Sequence, residues 1–160
     1  MLVDYNNANT LNFGDLKAAH QMTVFLNLAC PFCRKSFLNN YQRIVKAVNE
    51  HELAVHFKFI NKPKKPLENG NVAQLYIDYN NPDAALNYVH AVFENQKALK
   101  ALSKDEVANY VQSTYNVKRV ISDKNVQKVF QQAQALHATS VPNIFFDNQY
   151  HLDSNFVLPL

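Results

Sequence analysis

The sequence is poor in the residues that usually form turns and metal sites, with only two glycines and two cysteines among its 160 residues. With so little glycine, the turns must rely on asparagine, aspartate and proline. No apolar run approaches the roughly 18 residues that a membrane-spanning helix needs, so we expect no membrane partner.

Sixteen basic and thirteen acidic residues leave a net charge of +3. These charges are too dispersed to indicate a nucleic-acid partner.

The opening of the chain, MLVDYNNANTLNFGDLKAAH, lacks the basic and then apolar regions of a signal peptide. We therefore expect a cytoplasmic location, where thiols are kept reduced and structural disulfides are rare. The one small basic cluster consists of Lys62, Lys64 and Lys65 in NKPKKP. It is typical of a solvated loop, and it would bias the protein toward acidic partners.

The first half of the sequence predicts a strand, a helix and a second strand. MTVFLNLA (22–29) is an apolar run of the kind found in a strand that is covered on both faces. Apolar residues then recur at helical spacing from Cys30 to about Glu50, and Pro31 suits the first helical turn. LAVHFKFI (53–60) alternates apolar and polar residues as a strand does. The chain is long enough for a single domain, residues 1–160, of the α/β class.

The second half predicts helices followed by a closing hairpin. Asn81 and Pro82 mark the start of a helix that carries apolar residues from Leu86 to Leu99. Ser103 with Glu106 forms a capping box, and Ser122 could cap a further helix. VPNIFFDNQYHL then returns to strand, with a turn at 147–148 and a shorter strand through Tyr150 and Leu152. We expect the helices to occupy about 67–138.

Both cysteines lie in LACPFCRK, where the first strand meets the first helix. Cys30 would sit over the free backbone N–H groups at the helix N-terminus, which stabilise a thiolate. Arg34, one turn further on, could strengthen this effect. Cys33 would face inward beside Phe37, so the spacing separates an exposed attacking thiol from a shielded resolving thiol.

Two other interpretations of the cysteine pair are a buried, idle pair of thiols and half of a zinc site. Structural zinc normally has four ligands, and a single C-x-x-C supplies two. The candidates for the other two are the six histidines: His20, His51, His56, His90, His137 and His151. His51 and His56 come closest to a zinc-binding pair, but they would straddle the start of a strand. We therefore predict no metal site, and we interpret the histidines as surface or satisfied polar groups.

Two motifs of the sequence resemble those of a known family. VFLNLACPFCRKSF resembles the strand, active-site turn and first helix of thioredoxin-fold proteins, and TSVPNIFFDNQYHL resembles their cis-proline strand and hairpin. About eighty residues separate Ile60 from Val141, and a helical insertion of this size resembles the DsbA-like family. The resemblance implies a thioredoxin-like fold with an inserted helical subdomain. It also implies that Val141 and Pro142, as a cis pair, hold the substrate backbone beside the thiol.

The central dipeptide departs from the best-known oxidants of that family. Pro31 and Phe32 stand where those proteins have Pro-His, and a Pro-aromatic pair is more similar to glutaredoxins. Phe32 cannot interact with the thiolate as an imidazole does. No residue matches the buried acid with which thioredoxins transfer protons. Asn27 is a candidate hydrogen-bonding substitute, and its alternative role is to satisfy the local backbone.

These observations predict a thiol-disulfide oxidoreductase in which Cys30 attacks and Cys33 resolves, with no metal or organic cofactor. Its partners would be protein or peptide thiols and disulfides, with a low-molecular-weight thiol or the thioredoxin system as a further partner. One alternative is a peptide-binding adaptor of thioredoxin fold with a redox-sensitive cysteine pair. Another, suggested by the Pro-Phe dipeptide, is a glutathione-linked, glutaredoxin-like enzyme or an iron-sulfur carrier.

Overall fold

A five-stranded mixed sheet forms the centre of the computed structural model, which describes residues 4–160. The strands are β1 (Leu11–Phe13), β2 (His20–Leu26), β3 (Leu53–Phe59), β4 (Asn143–Phe146) and β5 (Gln149–His151). Their order across the sheet is β1-β3-β2-β4-β5. Strands β2 and β3 are parallel, and the other neighbouring pairs are antiparallel. The α/β class predicted from the sequence is therefore confirmed.

Helix α1 (Pro31–Asn49) connects β2 to β3, and the remaining helices lie between β3 and β4. They are α2 (Glu68–Ala73), α3 (Pro82–Glu94), α4 (Gln96–Lys100), α5 (Val107–Tyr115) and α6 (Asp123–Ala135). Short 3-10 segments occupy Lys65–Leu67, Gln74–Tyr76 and Lys104–Glu106. In the part of the chain that the structure describes, no helix combines the length and apolar character needed to cross a membrane.

Two of the three predicted helix caps are present. Ser122 Oγ accepts a hydrogen bond from the Asn125 N–H, and Ser103 and Glu106 form the capping box at the 3-10 turn that leads into α5. A helix does begin at Pro82, but the Asn81 side chain bonds to Asp78 rather than to the helix N-terminus. The apolar stripe is also divided, because α3 ends at Glu94 and Leu99 belongs to α4.

The strand boundaries differ from the predicted ones at several points. Strand β2 ends at Leu26, so residues 27–29 form the turn before the cysteines. Leu152 lies outside β5. Strand β1 was missed, because it is three residues long in a polar stretch and forms only by pairing Leu11 with Phe57 of β3. Such a short segment carries too little periodicity to be recognised.

Both faces of the sheet are covered, so the polar residues that alternate with apolar ones in β3 do not face solvent. One face belongs to the main core with α1 and α3, and the other packs against α6 through Phe25, Val129 and Ala133. Every residue of β3 is buried, including His56 and Lys58. Residues in β1 and just before it form hydrogen bonds with both of these polar side chains.

Lys58 is fully buried without a carboxylate contact among residues 4–160. Its Nζ donates to Thr10 Oγ1 at 2.6 Å and to Asn9 Oδ1 at 3.2 Å. Burial lowers the pKa of Lys58 to about 8. His56 bonds through Nδ1 to Asn12 Oδ1 at 2.7 Å, and burial lowers its pKa to about 4, so it is neutral at pH 7.

We expect the buried Lys58 to make stability rise with pH above pH 8. Between about pH 8 and 10.5 the unfolded chain keeps the Lys58 proton that the folded chain has lost, so raising the pH favours the folded state. The shift corresponds to about 3 kcal/mol of unfolding free energy. Denaturant unfolding of the wild type and Lys58→Met across this range measures it, because the other titrating groups cancel in the difference. Parallel pH profiles for the two proteins would contradict the prediction.

Candidate active site

The cysteine pair sits at the junction between β2 and α1. Cys30 is the N-cap of α1, and Pro31 follows in the first turn, as the sequence predicts. The Cys33 N–H donates to Cys30 Sγ at 3.1 Å, so one free backbone donor of the helix N-terminus is aimed at the first sulfur. This geometry places a preformed anion-stabilising environment around Cys30.

The two thiols differ less in exposure than the sequence predicts. Cys33 is fully buried, as expected, but Cys30 is also 96% covered rather than exposed. The covering comes from the loop before β4: the Cys30 thiol lies 3.6 Å from the carbonyl oxygen of Val141. By contrast, Phe32 is 62% exposed. The most accessible apolar surface beside the cysteines is therefore the Phe32 ring.

Strand pairing explains why residues far apart in sequence meet at the cysteines. Strand β4 lies antiparallel to β2 with Asn143 opposite Phe25, so the residues just before β4 reach the end of β2 where the cysteine turn begins. The Val141–Pro142 peptide bond is cis, and Pro142 is buried. The structure thus brings Val141 and Pro142 against the cysteine motif.

The two sulfurs have opposite electrostatic environments. A hydrogen bond from the Cys33 side chain lowers the pKa of Cys30 to about 7, helped by the backbone N–H groups of Cys33 and Phe32 and by the charge of Lys100, and opposed by burial. Burial and the neighbouring Cys30 sulfur raise the pKa of Cys33. Near pH 7 a large fraction of Cys30 is therefore thiolate, whereas Cys33 stays a protonated thiol.

We expect alkylation of Cys30 by iodoacetamide to follow a titration centred near pH 7. The thiolate is the reacting form, so the rate should fall about tenfold between pH 8 and pH 6. Mass spectrometry of the modified peptide assigns the site. Cys33 should remain unmodified over the same range. A midpoint near that of an ordinary thiol would contradict the assignment.

The contact that the structure shows for Arg34 is with the backbone of α3, and its support of the Cys30 thiolate stays a prediction. Arg34 Nε donates to the carbonyl oxygen of Phe93 at 2.8 Å, which ties the start of α1 to the end of α3. The cation whose charge lowers the pKa of Cys30 is Lys100, in α4. Sequence reasoning missed Lys100 because the helix that carries it lies about seventy residues away along the chain.

Asn27 serves the backbone, which is the second of the two predicted roles. Its Oδ1 accepts from the Ala29 N–H, and its Nδ2 donates to Ile60 O and to Asn71 Oδ1, each at 2.9 Å. Only the backbone N–H of Asn27 faces a sulfur, with Cys33 Sγ at 3.5 Å. The side chain, which is fully buried, holds the turn before Cys30 in place.

The comparison with protein families agrees with this geometry. The family model described as thioredoxin matches residues 6–155, which is most of the chain. The chain belongs to the thioredoxin family. None of the curated proteins matches the sequence significantly.

Solved structures share the fold of this thioredoxin-family chain. A conserved protein of unknown function from Enterococcus faecalis V583 is 30% identical, with a TM-score of 0.89, covering 95% of this chain and 86% of its own. MdbA, a thiol-disulfide oxidoreductase from Corynebacterium diphtheriae, is 16% identical, with a TM-score of 0.63 and coverages of 90% and 84%. Wolbachia pipientis alpha-DsbA1 T172V is 21% identical, with a TM-score of 0.60 and coverages of 88% and 76%. The fold is thus thioredoxin-like and of the DsbA-like kind.

Two glutamines of the inserted helices were missed as supports of this thioredoxin-family site. Gln96 Nε2 donates to the carbonyl oxygens of Leu28 and Cys30, both at 2.9 Å, and Gln74 Oε1 accepts from the Leu28 N–H at 2.9 Å. Both glutamines are buried. A buried glutamine needs partners, but nothing in the sequence indicates that these partners lie in the cysteine turn.

Among residues 4–160, no group of three or more His, Cys, Asp or Glu side chains is placed to hold a metal ion. In the described structure both cysteines are free thiols. The chemistry that this arrangement supports is exchange between thiols and disulfides.

Proposed function

We propose that the protein is a thiol-disulfide oxidoreductase whose redox centre is the Cys30–Cys33 pair. The observation that carries the proposal is the opposite environment of the two sulfurs at the start of α1, which favours a thiolate at Cys30 and a thiol at Cys33. A nucleophile held beside a protonated second thiol is what a two-step exchange requires.

The reduced protein attacks with the Cys30 thiolate. It forms a bond to one sulfur of a substrate disulfide, and the other substrate sulfur leaves as a thiolate that takes up a proton. Cys33 then loses its proton and attacks Cys30 Sγ, so the mixed disulfide breaks and the second substrate thiolate is released. Two electrons have passed from the protein to the substrate, and the protein holds a Cys30–Cys33 disulfide. The reverse sequence oxidises a substrate dithiol.

The surrounding residues have separate proposed roles. The Val141 carbonyl and Pro142 hold an extended substrate segment across Cys30, supported by their position against its sulfur. The exposed ring of Phe32 contacts apolar side chains of the substrate. Pro31 begins the helix, Arg34 anchors it to α3, and Asn27 holds the turn.

The comparisons support this reaction class more than any particular substrate. MdbA of C. diphtheriae is described as a thiol-disulfide oxidoreductase, and its similarity to this chain is one of fold. Protein or peptide thiols are the substrates that we propose, because the covered Cys30 lies beside a backbone carbonyl that can pair with a peptide. The proposed location is the cytoplasm, and trapping the redox state of both cysteines in cells with an alkylating reagent tests it.

The experiment that tests the function is equilibration of the purified protein with glutathione buffers of graded redox ratio. We expect Cys30 and Cys33 to interconvert reversibly between dithiol and disulfide as a single two-electron couple, read by mass spectrometry after acid quenching and alkylation. The midpoint gives the reduction potential, which decides whether the protein reduces or oxidises its substrates in a given compartment. A pair that does not cycle would refute the oxidoreductase and favour the peptide-binding adaptor.

A further inference from the structure

Two lysines belong to segments that are tied to the surroundings of Cys30. Lys62 Nζ donates to the carbonyl oxygen of Thr139, two residues before Val141. Asn71 holds the Lys62 backbone through a pair of hydrogen bonds, from its Nδ2 to the Lys62 carbonyl at 2.8 Å and from the Lys62 N–H to its Oδ1 at 2.9 Å. The lysine is thus fixed beside the loop that covers Cys30.

Lys100 is held near Cys30 through α4. Gln96 at the start of α4 donates to the Cys30 carbonyl oxygen, and Lys100 follows one helical turn later with an exposed side chain. Its charge acts on the Cys30 sulfur and lowers the pKa of that thiol. Lys62 lies in the loop after β3, and Lys100 lies at the end of α4. Only the tertiary structure brings these two lysines to the segments around Cys30.

Within residues 4–160, neither Lys62 nor Lys100 forms an ion pair with an acidic side chain. The ion pairs within residues 4–160 engage Lys46, His90, Arg119, Lys128 and His20, and none involves Lys62 or Lys100. Lys64 and Lys65, both exposed, add further unpaired charge next to Lys62. Burial, together with the repulsion from Lys64, lowers the pKa of Lys62. The surface around Cys30 therefore carries positive charge that the described protein does not neutralise.

We propose that Lys62 and Lys100 select peptide disulfides with acidic residues beside the cysteine. The proposal rests on the oxidoreductase function and names its substrate class. An extended peptide lying along the Val141 carbonyl would bring its flanking side chains near Lys62, which is bonded to Thr139, and near Lys100, whose charge acts on Cys30. Carboxylates there would find a complementary charge during encounter and in the mixed disulfide, whereas lysines would be repelled.

The test compares three disulfide peptides of one length and design, with glutamate, serine or lysine on both sides of each cysteine. The reduced protein reacts with each peptide, and acid quenching followed by chromatography gives the second-order rate constants. At low ionic strength we expect the glutamate peptide to react at least about tenfold faster than the lysine peptide. The ratio should shrink toward one at about 0.5 M salt, because salt screens charges at the surface.

Variants assign the selectivity to the two lysines. Lys62→Gln and Lys100→Gln should each lower the glutamate-to-lysine rate ratio about threefold, and the double variant should lower it further. Losing Lys100 also changes the thiolate fraction of Cys30, but that change scales all three rate constants equally and cancels in the ratio. Lys17→Gln is the matched control, since Lys17 is exposed and precedes β2, at the end of the strand opposite the cysteines.

The outcomes separate this inference from the proposed function. If the serine peptide reacts but the ratio is near one, or is unchanged in both glutamine variants, the acidic preference is overturned and the oxidoreductase stands. If none of the peptides reacts although the Cys30–Cys33 pair cycles in glutathione buffers, the acidic preference is overturned and the oxidoreductase stands; if the pair does not cycle either, the oxidoreductase is refuted and the inference falls with it. A ratio that falls equally in Lys17→Gln would show a general effect of net charge and would also overturn the role of Lys62 and Lys100.

Discussion

Replacing Cys30 with serine is expected to reduce disulfide exchange to the background rate, whereas replacing Cys33 with serine should leave the first attack intact and stop the second. Serine at residue 30 cannot supply a thiolate at neutral pH, so no mixed disulfide forms. In Cys33→Ser the attacking thiolate keeps the backbone N–H of residue 33 and gains a hydroxyl donor in place of the thiol. The mixed disulfide then accumulates, because no resolving thiol displaces the substrate.

The measurement is the yield of covalent protein-peptide complex, by non-reducing electrophoresis and mass spectrometry. The double variant, with serine at both positions, is the control and should give no complex. Cys33→Ala adds a second check: it removes the side-chain donor that most lowers the pKa of Cys30, so that pKa should be higher in Cys33→Ala than in Cys33→Ser. Full exchange activity in Cys30→Ser would show that Cys30 is not the attacking residue.

Replacing Gly70 with alanine destabilises the protein by about 3 kcal/mol and disturbs the cysteine turn. Gly70 is buried in α2, where a Cβ atom would lie 2.5 Å from the backbone nitrogen of Ala29 and would overlap Asn27 Oδ1. Asn27 cannot swing aside freely, because its amide is bonded to Ala29, Ile60 and Asn71. Either α2 or the turn before Cys30 must therefore move.

The sign of the change in unfolding free energy shows whether α2 packs closely against the turn before Cys30. In a helix without such a contact, alanine in place of glycine stabilises by roughly 1 kcal/mol, so a gain in stability would contradict the close approach of α2 to the turn. Denaturant unfolding measures the stability, and the pH profile of Cys30 alkylation reports on the turn. Asn109→Ala, at an exposed position of α5, is the control; it should leave the alkylation profile unchanged and raise stability by roughly 0.5 kcal/mol through helix propensity.

Much of the fold follows from local signals that sequence reasoning can detect. The apolar run before Cys30, the proline after it and the helical spacing beyond predict β2 and α1, and alternation predicts β3. Ser122 and the pair Ser103 with Glu106 mark helix starts by a hydrogen bond that spans three residues. Each of these signals acts within one turn of helix or a few residues of strand, so the sequence order is enough to identify it.

Errors occur where a residue's environment comes from distant parts of the chain. Lys58 has the pattern of a solvent-facing strand residue, yet Asn9 and Thr10 bury it and satisfy its amine. The apolar stripe that predicts one helix through Leu99 is interrupted after Glu94, which periodicity alone does not reveal. Burial depends on which elements pack together, and a single segment does not specify its neighbours.

For the candidate site, the sequence alone determined the chemistry: the two thiols, their spacing, and the strand-to-helix position that sets Cys30 over free backbone N–H groups. Tertiary structure alone decided the surroundings, since the pairing of β2 with β4 brings Val141 over Cys30, and the packing of the inserted helices brings Gln96 and Lys100 to it. The physical reason is the separation along the chain between the residues that each interaction joins. Helix capping acts within a single turn, whereas the burial and the electrostatic environment of Cys30 arise from residues that approach it only once the sheet and helices have packed.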